Sequence, residues 1–510
     1  MTTAQITRAS VFAIKLETTE GTLLAPSAAG DFIPLRSGFE MTPNIETLDN
    51  DELVNDLGAS KAYTGKQSPS GKHDIYMKHS ETEGTAPEWA LLLKTALGAQ
   101  TDNGTEYDTI AGSDTTKVVV DSGEGASFAV GQALLIKDIA NGLREIRNVA
   151  SISTDDLTHN FSTTNSPGVG VNLGKCIAFA PANSGHPTFS AWLYLANGGA
   201  IQAMSGCRVT SVSIEFPTGQ QATCSFSYEG NRFYFNPLIV SDSNKYIDLT
   251  DGTGTVAATV ATGIYESPIE LATAIKTALD AASAPSDADT FTVTFSSSTG
   301  KFTIASDGTV MSLLWKTGTH GADNADDHIG TLIGFSDAAD DTGALTYTAD
   351  SALSYAAAYT PSYDNADSII VKEAEIMIGD STDNSCRKAQ NVSITIDTPT
   401  VDVDSICAES GLLEKLPGSR TVSLSCSIVL EKHEAHLFDK FINNTTTQVM
   451  VNVGAKDNSG NWVEGKCVNV YFGNATISAF SVSAGDYIVM NLEMKGFVDT
   501  NKKDVYINLV

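Results

Sequence analysis

The sequence contains no run of about 18 apolar residues, the length a membrane-spanning helix needs. Its start, MTTAQITRASVFAIKLETTEG, lacks the basic opening and apolar stretch of a secretory signal, so neither a signal peptide nor a membrane partner is expected. Basic residues are scarce. The chain has 31 Lys and Arg against 61 Asp and Glu, a formal net charge of -30. Such a chain cannot neutralise phosphates over a large surface, which excludes a protein built to grip nucleic acid. Strong acidity favours solubility and repels other polyanions. The seven cysteines (Cys176, Cys207, Cys224, Cys386, Cys407, Cys426 and Cys467) form no C-x-x-C pair. Scattered and odd in number, they read as free thiols and not as a disulfide scaffold. With only 4 Trp, the chain is also poor in the aromatic platforms expected of a polysaccharide-degrading enzyme.

Reactive motifs are missing as well. Gly65-Lys66, Gly71-Lys72, Gly174-Lys175 and Gly300-Lys301 lack the upstream glycine and the following Ser or Thr of a phosphate loop. Gly168-Val169-Gly170 runs to Leu173 where a dinucleotide fingerprint needs Gly, and Gly252-Thr253-Gly254 has no third glycine. No G-x-S-x-G elbow occurs. His433 and His436 lie three apart on a predicted helix without further metal ligands, and read as a solvated helix face. Asp323-Asn324-Ala325-Asp326-Asp327-His328 is acidic but lacks the glycine and terminal glutamate of a calcium loop, and reads as a solvated loop. No catalytic, cofactor-binding or metal-binding residue is assigned, no cofactor is expected, and the chain is not read as an enzyme.

What the sequence does have is alternation. At 510 residues, with 42% hydrophobic and 18% charged residues, it is long enough for several cores. Val422, Leu424, Cys426 and Ile428 alternate with serines, as do Cys224, Phe226 and Tyr228, while Met490, Leu492 and Met494 keep the same period. A period of two buries one strand face and leaves the other to solvent or a neighbour, so the fold class is mainly β and antiparallel. Three segments have helical spacing. In the first, Trp89, Leu92, Leu93, Ala96 and Leu97 share a face, Thr85 and Glu88 fit a capping box, and Gly98 suits the stop. In the second, Ser267 caps, Pro268 opens the helix and Glu270 completes the box. The third, EKHEAHLFDKFIN, is expected to bury Leu437, Phe438, Phe441 and Ile442.

One order of elements occurs twice: alternating strand, helix, two strands, then Gly and an aromatic. The early block ends in Glu229, Gly230 and Phe233, the late one in Lys495, Gly496 and Phe497. Two stretches fall outside this repeat. Residues 104–176 read as a small β-barrel or sandwich. Residues 240–358 read as an α+β module with one helix and a hairpin turning at Ser297–Gly300. Both are expected to decorate a scaffold, because surface loops tolerate long insertions. The expected division is 1–103 and 177–239 for a first copy of one fold, 359–510 for a second copy, and 104–176 and 240–358 for inserted modules.

The first hundred residues resemble long-tailed bacteriophage tail tube proteins. The resemblance is carried by Lys15-Leu16-Glu17-Thr18-Thr19-Glu20-Gly21-Thr22, Pro26 and Asp31-Phe32-Ile33-Pro34. It ends in Ala86-Pro87-Glu88-Trp89-Ala90-Leu91-Leu92 and Leu97-Gly98. Asn244–Asp248, Ser267-Pro268, Ser312–Trp315 and Ile329–Phe335 are similar to a module found inserted in phage tail proteins. The resemblance implies a tail-tube-type β-sandwich with a flanking helix, six such folds forming a ring with a sheet-lined lumen, and rings stacking into a tube. A long loop, here Met41–Ser70, would contact neighbouring subunits or rings. With two folds per chain, three chains would make a pseudo-hexameric ring; the alternative is a homohexamer. The implied partners are further copies of the chain, the tape-measure protein and the tail-tip and terminator proteins, with DNA passing through the lumen without specific binding. The implied place is the virion tail, after synthesis in the host bacterial cytoplasm. The rival reading is a β-rich tail-tip or surface adhesin that binds the host cell.

Overall fold

The computed structural model describes the chain except residues 1–6, 53–60, 251–253, 284–288, 309, 358, 364–365, 380–382, 384 and 432–435. The alternating segments form strands, and the fold is mainly β. A first set comprises β1 (Val11–Leu16), β2 (Glu40–Thr42), β3 (Ser70–Tyr76), helix α1 (Ala90–Leu97), β4 (Phe189–Leu195), β5 (Ala200–Pro217), β6 (Thr223–Glu229) and β7 (Arg232–Phe235). Strand β5 is long enough to serve two sheets. Its first half lies in the order β1-β4-β5-β7, and its second half in the order β2-β3-β6-β5. The strand passes from one sheet to the other at Gly206, whose φ is +64°, and a Cβ there would meet Asn231 Nδ2 at 2.4 Å.

The two intervening stretches each have their own sheets. Residues 107–173 carry a six-stranded sheet around Val118, Leu134, Ile136, Val149 and Leu157. Residues 238–355 carry small sheets packed with helix α2 (Pro268–Ser283) around Ile247, Leu271, Ile275, Phe302 and Trp315. The Ser267 cap of α2 forms as the sequence predicts, with Glu270 N–H donating to Ser267 Oγ at 3.2 Å, but the Glu270 carboxylate accepts from Glu266 N–H at 2.9 Å, one residue before the cap. The hairpin also turns where expected, at Gly300 with φ +71°.

A second set follows: β8 (Glu375–Gly379), β9 (Ala389–Asp397), β10 (Thr421–Val429), helix α3 (His436–Ile442), β11 (Thr447–Lys456), β12 (Trp462–Ala484), β13 (Ile488–Gly496) and β14 (Tyr506–Leu509). Its sheets run β8-β11-β12-β14 and β9-β10-β13-β12, with β12 again shared. The order matches the first set strand for strand. The sets join edge to edge where β5 pairs with β9, from Ser211↔Asp397 to Pro217↔Asn391. One eight-stranded sheet results: β2-β3-β6-β5-β9-β10-β13-β12. Its buried face shares a continuous core with the other two sheets.

The intervening stretches lie across the backs of these outer sheets, and they cross over. The 104–176 stretch, which interrupts the first set, covers the second: Phe161 packs with Met377, Met450, Tyr471 and Tyr506. The 238–355 stretch covers the first: Ile239, Ile264 and Tyr355 pack on Trp192, Tyr194 and Tyr234. Both outer faces are therefore apolar and roofed, which a free-standing decoration would not require.

Three local expectations differ from the structure. Helix α1 begins at Ala90 without a side-chain cap, because Thr85 is held in a turn by Thr82 and Ser80 instead. Its Gly98 stop forms, at φ +91° with the N–H on Lys94 O. Phe497 is not the counterpart of Phe233. The strand that takes the place of β7 is β14, which begins nine residues later. On α3 only Leu437 is buried: Phe438 is 43% and Ile442 62% exposed. That helix has an apolar stripe wider than its own sandwich covers.

Candidate assembly surface

The residues that carry the family resemblance fasten the β5 corner. Glu17 leaves β1 and turns its carboxylate onto the bend. It accepts from Gly206 N–H at 2.7 Å, Gly21 N–H at 2.8 Å, Thr188 Oγ1 at 2.8 Å and Ser190 Oγ at 2.9 Å. Burial pushes its pKa up, against the opposing pull of those donors. Glu20 takes the Arg208 guanidinium at 2.8 Å on both oxygens, and Lys15 pairs with Asp31 at 3.0 Å. These charges stitch the bend to the strands around it.

The eight-stranded sheet turns its other face outward. That face is small and polar: Ser211, Ser213, Ser225 and Ser227 in the first set, Ser423 and Ser425 in the second. Its charged members are Glu40, Asp74, Glu215, Glu229, Asp397 and Glu493 against Lys72 and Lys495, and Lys72 is the cross-strand partner of Glu40. Serines on one face and Val, Ile, Leu, Cys or Met on the other are the period-two pattern of the sequence made physical.

A hairpin stands between the first two strands of this sheet in each set, Ile45–Leu48 with Tyr63–Gln67 and Thr400–Asp404 with Leu412–Pro417. The two hairpins are laced together. Lys66 Nζ reaches Asp402 at 2.6 Å, Gln67 N–H donates to Ser410 O, and the buried Lys415 binds Asp402 at 2.6 Å and Glu229 at 3.0 Å. The Asp402 and Asp404 carboxylates hold the Lys66 ammonium pKa above its ordinary value. Exposed Ile45, Leu48, Tyr63, Val401 and Leu416 give the laced pair an apolar surface.

Of the metal candidates in the sequence, His436 lies on α3 of the second set and the acidic loop in the 240–358 stretch. His433 lies outside the described residues, while His436 Nε2 bonds Asp383 at 2.7 Å beside Arg387. In the acidic loop Asp323, Asn324 and Asp326 are exposed, but His328 is buried and its Nδ1 accepts Gly330 N–H at 3.1 Å. Glu83, Glu106 and Glu464 converge, yet on the Lys137 ammonium, which supplies the positive charge between them. Sequence reasoning missed a buried amide cluster. Asn469 accepts from Asn148 and Asn508 at 2.8 Å each and donates to Asn452 Oδ1 at 2.6 Å. The signal was available: Asn452, Asn469 and Asn508 each sit between two apolar residues of a strand.

The described residues thus give a polar-faced sheet with its backs roofed and two laced hairpins. The chain belongs to the phage tail tube protein family, which it matches over residues 7–323, and it is a structural protein of the phage tail tube. The match spans the first set and most of the 240–358 stretch; the second set lies beyond it. Comparison with curated proteins finds no match. Among solved structures, a chain from the "Virion of native gene transfer agent (GTA) particle" is similar at 16% identity and a TM-score of 0.18, covering 24% of this chain and 89% of that one. A chain from the "Tail of empty GTA particle computed with helical refinement, C6 symmetry" is similar at 18% identity and a TM-score of 0.18, with the same coverage.

Proposed function

We propose that three copies of this chain close into a ring of six tube folds, and that rings stack into the tail tube. The observation that carries this reading is the matching strand order of the two sets, joined edge to edge through β5 and β9. The polar face of the eight-stranded sheet lines the lumen, the laced hairpins contact the next ring, and the 104–176 and 240–358 stretches lie outside. Their packing on the sheets behind the polar face supports that outward placement.

The lumen conducts DNA and the tape-measure protein, with tail-tip and terminator proteins at the ends. A cationic wall would bind phosphate, release counterions and hold the strand. Serines with a surplus of carboxylates leave the DNA centred on water and mobile cations. Because screening acts within about 8 Å at physiological salt, the charges must sit on the wall itself. The chain is made in the host cytoplasm and works in the virion tail. Cryo-microscopy of assembled tubes tests the reading: three chains and six equivalent folds per ring are expected. Six chains per ring, or a net positive inner surface, would overturn it.

A further inference from the structure

The two sets share one backbone plan, but the charges on their polar faces do not repeat with it. Equivalent positions can be read from the bulges. The bulge of β5 lies between Val209 and Ser211 opposite β6, and that of β12 lies between Ile477 and Ala479 opposite β13. Aligned there, Glu229 corresponds to Lys495, Ser227 to Glu493 and Glu215 to Ser483. Strand partners carry the alignment across the sheet. Lys72 pairs with Ser227 and Asp74 with Ser225, as Ser425 pairs with Glu493 and Ser427 with Asn491. Lys72 and Asp74 therefore stand where the second set has Ser425 and Ser427. Glu40, the partner of Lys72, stands where the second set has Ser393, the partner of Ser425. Asp397 corresponds to Asn44, beyond the end of β2. No charge of one face recurs at the equivalent position of the other, and between Glu229 and Lys495 the sign is inverted.

The differences fall at separate heights along the strands. Nearest the hairpins, the first set has Glu229, held by Lys415 at 3.0 Å and Thr400 Oγ1 at 2.6 Å, while the second has the exposed Lys495. Furthest from the hairpins, the first set has Asp74 and Glu215, the latter accepting from Ser393 Oγ at 2.5 Å, while the second has Ser427 and Ser483. Three chains in a ring thus make a wall that is sixfold in backbone and threefold in charge, with three lysines at one height and three acidic pairs at another. Resting on the ring reading above, we propose that this wall selects a three-chain occupant and fixes its rotation: three tape-measure chains side by side, each with acidic groups opposite Lys495 and basic groups opposite Asp74 and Glu215. Complementary charge sets register and excludes wrong partners more than it adds affinity. A bundle of six identical chains cannot match the wall, because equal faces would meet Glu229 and Lys495 in turn. DNA carries phosphate all round, so it finds no preferred rotation and slides. Screening acts within about 8 Å, so the pattern is felt by an occupant that nearly fills the channel.

The test is cryo-microscopy of intact tails before ejection, reconstructed without imposed symmetry, with the tape-measure chains counted by quantitative mass spectrometry. The wild type should show three lobes of occupant density at a fixed angle to the first-set strands, and three tape-measure chains per tail. Two variants make both heights sixfold. One carries Lys495→Glu, Ser427→Asp and Ser483→Glu, which copies the first-set charges into the second set. The other carries Lys495→Glu, Asp74→Ser and Glu215→Ser, which removes the far acidic pair from the first set. The first variant gains negative charge and the second keeps the net charge of the wild type, so an effect common to both is one of pattern. In each, the tube should be unchanged and the occupant density smeared in rotation. A count other than three, or lobes that stay as sharp in either variant, overturns the proposal. The count and the wild-type lobes decide it even where a variant does not assemble. Empty tubes with six chains per ring sink the ring reading itself, and the threefold wall with it.

Discussion

His73 offers a sharp test of how the first sandwich is held. It points from β3 into the core, with ring centroids 4.7 Å from Phe12, 5.6 Å from Phe226 and 5.7 Å from Tyr228. Neither ring nitrogen has a hydrogen-bond partner. Burial therefore pushes its pKa down from 6.5 to about 4. The sign follows from linkage. Above pH 6.5 both folded and unfolded forms are neutral and His73 adds no pH dependence. As pH falls, the unfolded chain takes a proton that the folded chain refuses, so stability is lost down to the folded pKa. The loss is about 2 kcal/mol between pH 7 and pH 5, and about 3 kcal/mol by pH 4. His73→Leu keeps a similar volume and removes the titration. Native-state hydrogen exchange of the β3 and β6 amides, corrected for intrinsic rates, reads the opening free energy of this unit alone. The wild type should lose about 2 kcal/mol more than the variant over that pH step. Parallel curves for the two proteins would refute the buried, unpartnered placement of His73.

Trp89→Ala should cost roughly 3–5 kcal/mol, since the ring is buried and its Nε1 donates to Lys78 O at 2.8 Å. Insoluble or non-assembling protein is expected, and wild-type thermal stability would exclude the placement. Asn469→Leu takes the donor from Asn148 Oδ1 and Asn452 Oδ1, at about 1–3 kcal/mol for each buried oxygen, while the Nδ2 groups of Asn148 and Asn508 keep Gly131 O. Exchange should rise on both sides of the seam between the 104–176 stretch and β12, and a rise on only one side would refute a shared network. Replacing 240–358 by a short Gly-Ser bridge should uncover Trp192, Tyr194 and Tyr234, seen as binding of an apolar dye and aggregation of the chain. A well-behaved monomer with no dye binding would return that stretch to the role of a plain decoration.

Much of this architecture is written in local pattern. Alternating serines and apolar residues over Thr421–Val429 and Thr223–Glu229 fix strands with one dry and one wet face, whatever lies beyond them. Ser267, Pro268 and Glu270 fix the start of α2 through bonds made within one turn. Order along the chain was enough to show that a set of elements recurs. Other features depend on residues far apart in sequence. The apolar stripe of α3 has the same period whether it meets its own sandwich or another chain, so only the folded molecule reveals Phe438 and Ile442 on the surface. Glu17, Gly206 and Arg208 read as unrelated letters until the bend of β5 brings them together. Asn148 and Asn469 are 321 residues apart, and each is a poor choice for an apolar strand until the other satisfies it. Sequence determined which faces are dry, because that needs only neighbours. Tertiary structure decided which dry faces find cover within the chain and which stay exposed, because burial is a property of what arrives from elsewhere.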